Sequence, residues 1–259
     1  AVEKGRLERE LQMAREVQVG LLPQLAPVLP GWELAARWYP ARQVAGDYYD
    51  FVPLDDDRLG IVIADVADKG MPAALVMALT RSIVRASLIA APSPAEAFRQ
   101  ANRLICADAS GGMFITLFYG EVNAHTGTLT YVNAGHNPGL LCRTTGELLW
   151  LPRTGMILGM IDDASYETGV VQLATGDSVL LYTDGVTEAS SVTAGAEDTE
   201  ASDTGLYGEE RLLALMGSCR HSSATDLVTA VEQSVRDFIG PVPPADDVTL
   251  VALKRVVDG

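Results

Sequence analysis

Histidine and cysteine are scarce: three of each in 259 residues. Cys106, Cys142 and Cys219 are scattered, odd in number and without CxxC spacing. That pattern fits free thiols in a reducing compartment, and a cytoplasmic location is expected. His125, His136 and His221 form no cluster, and His136, in NAGHNPG, reads as a turn-stabilising residue. Positive charge is also short. Lys and Arg number 19 against 34 Asp and Glu, for a net charge of −15. Such a surface repels phosphate backbones and anionic lipid, which argues against nucleic-acid and membrane-surface binding. GxxxxGK[ST], GxSxG and HExxH are all missing, so the sequence offers no phosphate loop, nucleophile elbow or zincin helix. The most apolar stretch, MPAALVMALT (71–80), is broken by Arg81 and Arg85, so no membrane span of roughly 18 residues is expected. The first residues, AVEKGRLERE, are charged rather than signal-like and read as the interior of a longer protein.

What is present is an apolar fraction of 48%, enough for a substantial core. Residues 6–22 predict a helix: Leu7, Leu11, Ala14, Gln18 and Leu21 recur at a 4-3-4-3 spacing, with Gln18 a polar break in the seam. Such a helix either packs on its own domain or forms a short coiled coil that dimerises the chain. Pro23, Pro27 and Pro30 end it. This divides the chain into a linker helix at 1–29 and a domain at 30–256. Strands are predicted at 33–39, 58–65, 114–122, 128–134, 138–143, 147–151, 168–174, 177–184 and 247–256. Helices are predicted at 71–90, 94–108 and 208–239, the last split near Ser222. Hairpin signals such as HTG (125–127) and TTG (144–146), with helices gathered in blocks, give an α+β class rather than a regular βαβ alternation. The acidic stretch 189–205 has no periodicity and reads as a surface loop, either a flap beside a site or an idle insertion.

The remaining chemistry is carboxylate. Asp47, Asp65, Asp184 and the pair Asp246–Asp247 lie against strand-like runs, far apart in sequence. Separately, each is a turn residue. Together, they cannot all ionise unaided, and oxygen-only donors would select hard cations, Mg2+ or Mn2+. Two such ions can activate a water for attack on phosphorus. Spacing alone does not decide between the two readings.

The ordered set GDYYDF, DVADKGMPAAL, MFITLFYG, NAGHNPGLL, YTDGVTEA and DDVTLV resembles the PPM-type metal-dependent serine/threonine phosphatases. The match is to their bacterial SpoIIE/RsbU-like branch, over roughly residues 30–256. The resemblance implies a four-layer αββα sandwich of two antiparallel sheets flanked by helices, with two divalent cations, Mn2+ or Mg2+, at one end. It implies Asp65 between the two ions, the Val66 carbonyl on one of them, Asp47 on one ion directly or through water, and Asp184 and Asp246 on the other. Asp247 takes a place often held by Asn and is expected behind the ligands. Metal-activated water would then attack phosphoserine or phosphothreonine with no phosphoenzyme, on a phosphorylated STAS-domain anti-anti-sigma protein in a partner-switching pathway.

Three features depart from that pattern. Ala45 stands where a glycine is common. Lys69 stands where many relatives carry His; it can donate a proton to the leaving group only if its pKa is lowered, and is otherwise an electrostatic clamp or simply solvent-facing. The 189–205 loop is long. Arg42 is either a phosphate contact or a surface arginine. Two other functions fit the same fold: a catalytically silent dimeric scaffold, and a phosphatase of small molecules.

Overall fold

The computed structural model describes residues 2–108, 112–191 and 205–257. Most of the acidic 189–205 stretch lies outside them. The chain begins with α1 (Val2–Leu21), followed by β1 (Trp32–Tyr39), β2 (Tyr48–Pro53) and β3 (Arg58–Val66). Two helices follow, α2 (Met71–Ala90) and α3 (Pro94–Asp108). Then come β4 (Ile115–Asn123), β5 (Thr128–Ala134), β6 (Gly139–Cys142), β7 (Leu148–Leu151), β8 (Gly169–Gln172) and β9 (Ser178–Tyr182). The last elements are α4 (Asp184–Thr187), α5 (Gly208–Ser218), α6 (Ala224–Ile239) and β10 (Val248–Arg255).

Two five-stranded antiparallel sheets result, in the orders β1-β10-β9-β6-β7 and β2-β3-β4-β5-β8. Alternation along the strands distributes side chains among three apolar layers. Ile61, Ile63, Phe118, Val179, Leu181, Val251 and Leu253 pack between the sheets. Val62, Ala64, Leu117 and Tyr119 face the other way, onto Met77 and Val84 of α2 and Phe98 and Ile105 of α3. Leu180, Tyr182, Leu250 and Ala252 meet Leu212 and Met216 of α5 and Leu227, Val228 and Val231 of α6. The architecture is therefore the expected αββα sandwich.

Helix ends follow local chemistry. Ser223 caps α6 by accepting from the Asp226 amide at 3.0 Å, and Pro72 occupies the first turn of α2. The structure adds β2 to the nine expected strands. Its mid-strand Asp50 disguised the pattern, yet Asp50 is buried because Arg85 and Arg81 of α2 pair with it at 2.8 and 3.3 Å. These two arginines also change the reading of α2. Met71–Ala90 is, by length and composition, apolar enough to cross a bilayer, contrary to the expectation above. Here it lies on the second sheet, burying Ala73, Ala74, Met77, Thr80, Val84, Ser87 and Leu88.

α1 docks through its C-terminal turn. Gln18, the residue expected to break the seam, is buried and exchanges two hydrogen bonds with the Ala45 backbone, at 2.9 and 3.0 Å. Met13 and Val17 remain about two-thirds exposed.

Candidate active site

Antiparallel pairing puts the ends of β3 and β9 at the same edge of the sandwich as the starts of β2 and β10: Tyr48 pairs with Ala64, and Leu250 with Tyr182. The alternation that sends Ile61 and Ile63 between the sheets sends Asp65 there too. Asp47 shares its face with Phe51, Thr183 with Leu181 and Thr249 with Val251. At this edge the inter-sheet layer turns from apolar to polar. Asp47 is buried, and its Oδ2 accepts from the Thr183 and Thr249 hydroxyls at 2.7 and 2.8 Å. Its carbonyl accepts from the Trp38 indole at 3.0 Å. The threonines tie the carboxylate of one sheet to strands of the other.

Asp184 begins the four-residue helix α4 rather than ending β9. Gly185 is needed here for space rather than for an unusual torsion. A Cβ at this position would lie 2.0 Å from the Asp247 carbonyl oxygen, so glycine lets α4 pack against the chain entering β10.

Asp65, Val66, Lys69, Thr116, Asp184 and Asp246 all line one cavity of about 250 Å3. Two larger cavities, of about 420 and 480 Å3, open elsewhere on the sandwich, and their linings carry no aspartate. Among the described residues, no three Cys, His, Asp or Glu side chains already close into a set of metal ligands; the acids stand around the cavity. Their electrostatics show how closely they are crowded. Burial, then the neighbouring charges of Asp65 and Asp247, raise the Asp47 pKa well above its ordinary value. Burial raises Asp65 to about 6, helped by Asp246 and Asp247, while a hydrogen bond with Asp47 opposes the shift. Burial raises Asp184 to about 7, with Asp65, Glu188 and Asp246 adding repulsion. Five aspartates, Asp47, Asp65, Asp184, Asp246 and Asp247, repel one another at one edge.

Asp247 is spent on structure. Its two oxygens accept from the Ala41 and Gly46 amides at 2.8 and 2.9 Å, holding the loop that presents Asp47. Lys69 Nζ donates to Asp246 Oδ2 at 2.7 Å and to the Ala245 carbonyl at 3.3 Å. The Asp246 bond raises the lysine pKa, the direction opposite to that needed for a proton donor. Arg42 lines an adjoining small pocket with Lys69 and Asp246, so two cations border a mostly anionic edge.

Sequence reasoning passed over Thr183, Thr249 and Thr116. A threonine in a strand is unremarkable by type; only its parity with the inter-sheet residues marks it. His136 was read as a turn residue, and its backbone amide does donate to Asn133 Oδ1 at 2.8 Å. Its ring, however, is buried against Thr116, with 2.8 Å between Nδ1 and Oγ1.

The sequence signature described as Stage II sporulation protein E matches residues 55–256. The phosphoserine phosphatase RsbU of Bacillus subtilis is 31% identical over 255 residues, covering 97% of this chain and 71% of RsbU. Protein IcfG of Synechocystis sp. is 30% identical over 281 residues, covering 98% of this chain but 43% of IcfG, so the chain spans less than half of that relative. Among solved structures, the SiaA-PP2C domain of Pseudomonas aeruginosa aligns with a TM-score of 0.84 at 21% identity, over 98% of this chain and 99% of that one. That is a likeness of fold.

Proposed function

The chain belongs to the SpoIIE family of PPM-type phosphatases, in its RsbU-like branch, and on that premise we propose that it removes phosphate from phosphoserine or phosphothreonine in a protein substrate. The observation that supports this most is the gathering of Asp65, Asp184 and Asp246 around one cavity, with buried Asp47 beside Asp65.

The donor set fits hard divalent cations. It is all oxygen, it carries excess negative charge, and the carboxyl pKa values are raised first by burial and then by mutual repulsion, both of which a cation would offset. Asp65 would lie between two ions, Mn2+ or Mg2+, with Asp47 and the Val66 carbonyl toward one and Asp184 and Asp246 toward the other. Bound there, the ions would acidify a water and offset charge on the phosphoryl oxygens.

The protein's own residues then position the parts. Thr183 and Thr249 fix the Asp47 carboxylate. Asp247 fixes the loop that carries it. Lys69 stays cationic and, with Arg42, supplies positive charge at the rim for the incoming phosphate.

For substrate we propose a phosphorylated STAS-domain protein in the cytoplasm. For assembly we propose a homodimer through residues 6–22, where the exposed Met13 and Val17 offer an apolar face. Gln18 joins that helix to Ala45, two residues before Asp47, so dimerisation would bear on the site through this contact. The test is incubation with phosphorylated STAS domains and Mn2+, scoring phosphate release. Release that stops with chelator and with Asp184→Ala supports the reading. Hydrolysis of phosphometabolites in preference to every phosphoprotein overturns the proposed substrate class.

A further inference from the structure

Thr116 and His136 belong neither to the acid set nor to the apolar layers, yet they meet beside the acidic cavity, Thr116 lining it and His136 buried behind Thr116. Thr116 is the direct cross-strand partner of Asp65 and lines the cavity beside it. His136 is 1% exposed. It is set in place by the turn at Gly135, whose φ of 71° and close approach to Ile157 (2.3 Å from a built Cβ) admit only glycine. Nδ1 faces Thr116 Oγ1 at 2.8 Å. Nε2 is buried without a completed hydrogen bond, and the ring interacts with the Tyr182 backbone. Tyr182 is the last residue of β9, two before Asp184. The imidazole thus spans the two sheets at the level of the carboxylates.

Burial, with the charge of Arg153 adding, pushes the His136 pKa down to about 3, so the ring is neutral. A neutral imidazole has one donor and one acceptor. The Tyr182 backbone favours the proton-bearing ring, as an accepting carbonyl does, and Nδ1 is already taken up with Thr116, so the proton is assigned to Nε2, toward Tyr182, and Nδ1 is the acceptor. Nδ1 then takes the single hydroxyl proton of Thr116. What Thr116 has left to offer the cavity is lone pairs.

We propose that Thr116, held by His136 as a hydrogen-bond acceptor, receives a hydrogen bond from the attacking water beside Asp65 and so aims its lone pair at phosphorus. His136 is a positioning residue acting through Thr116. This rests on the phosphatase reading above.

The test uses the full chain with p-nitrophenyl phosphate and Mn2+. Thr116→Val keeps the shape and removes the acceptor; kcat is expected to fall about 10–100-fold, as for other residues that orient a site's reacting groups. KM, Mn2+ affinity by calorimetry and melting temperature stay near wild type, and Thr116→Ser restores most of the loss. A Thr116→Val protein with wild-type kcat, or a Thr116→Ser protein as slow as Thr116→Val, overturns the proposal. Long-range 1H–15N NMR of His136 gives an arm independent of turnover. The expected tautomer carries its proton on Nε2, and the Nδ1 resonance moves in Thr116→Val. A proton on Nδ1 overturns the assignment. Wild-type protein that releases no phosphate with Mn2+ bound refutes the phosphatase reading instead, while the tautomer still decides whether Thr116 is held as an acceptor.

Discussion

Replacing Asp65 by Asn should stabilise the protein when cations are chelated. Burial and the charges of Asp246 and Asp247 lift the Asp65 pKa from 3.8 to about 6. An acid with a raised native pKa binds its proton more tightly when folded. Stability is therefore undiminished below about pH 4, falls as pH rises toward about 6, and stays reduced above it. With about 1.4 kcal/mol for each pH unit between the two pKa values, the ionised carboxylate costs about 3 kcal/mol at pH 8. Asn keeps the shape, removes the charge and recovers most of that cost. For a chain of this size the gain corresponds to a melting temperature higher by about 6–10 °C. Thermal unfolding in EDTA at pH 8 and pH 4.5 measures it: a clear gain at the first, little at the second. Added Mn2+ should raise the wild type and leave Asp65→Asn nearly unmoved. An Asn variant less stable than wild type at pH 8, or a gain independent of pH, refutes the claim that these acids are held in electrostatic conflict.

Other substitutions test the parts that present the acids. Gly185→Ala forces a Cβ to 2.0 Å from the Asp247 carbonyl, and chemical denaturation should show a loss of about 3 kcal/mol or more with Mn2+ binding impaired. Asp247→Ala strands the Ala41 and Gly46 amides and should cost about 2–4 kcal/mol, whereas Asp247→Asn, which keeps one acceptor, should cost about half as much. Arg85→Ala leaves buried Asp50 with the more distant Arg81 alone; urea titration should show a loss of about 2–3 kcal/mol, reduced by the arginine's partial exposure.

Much of the fold is legible because its signals are local. Proline and serine mark the starts of α2 and α6, and glycines mark the hairpins. Strand alternation even encodes which layer each residue enters. β2 escaped because Asp50 looks like an interruption until Arg81 and Arg85, on a helix some thirty residues later, are seen to neutralise it. α4 escaped because four residues carry no periodicity. The acids were visible as residues, but their meeting was not. Asp65 lies near the end of β3 in one sheet and Asp184 just after β9 of the other, and only the stacking of those sheets brings them to one edge. The ordered motifs carried that inference. Thr183, Thr249 and Thr116 had no local mark, since their role depends on which side chain stands across the inter-sheet gap.

A crystal structure grown with Mn2+ tests the central claim most directly, through its anomalous density. The account predicts two manganese peaks in the cavity, Asp65 reaching both, Asp47 beside one and Asp184 beside the other. Asp65 and Asp184 on separate, unshared sites, or no peak among these carboxylates, would contradict it.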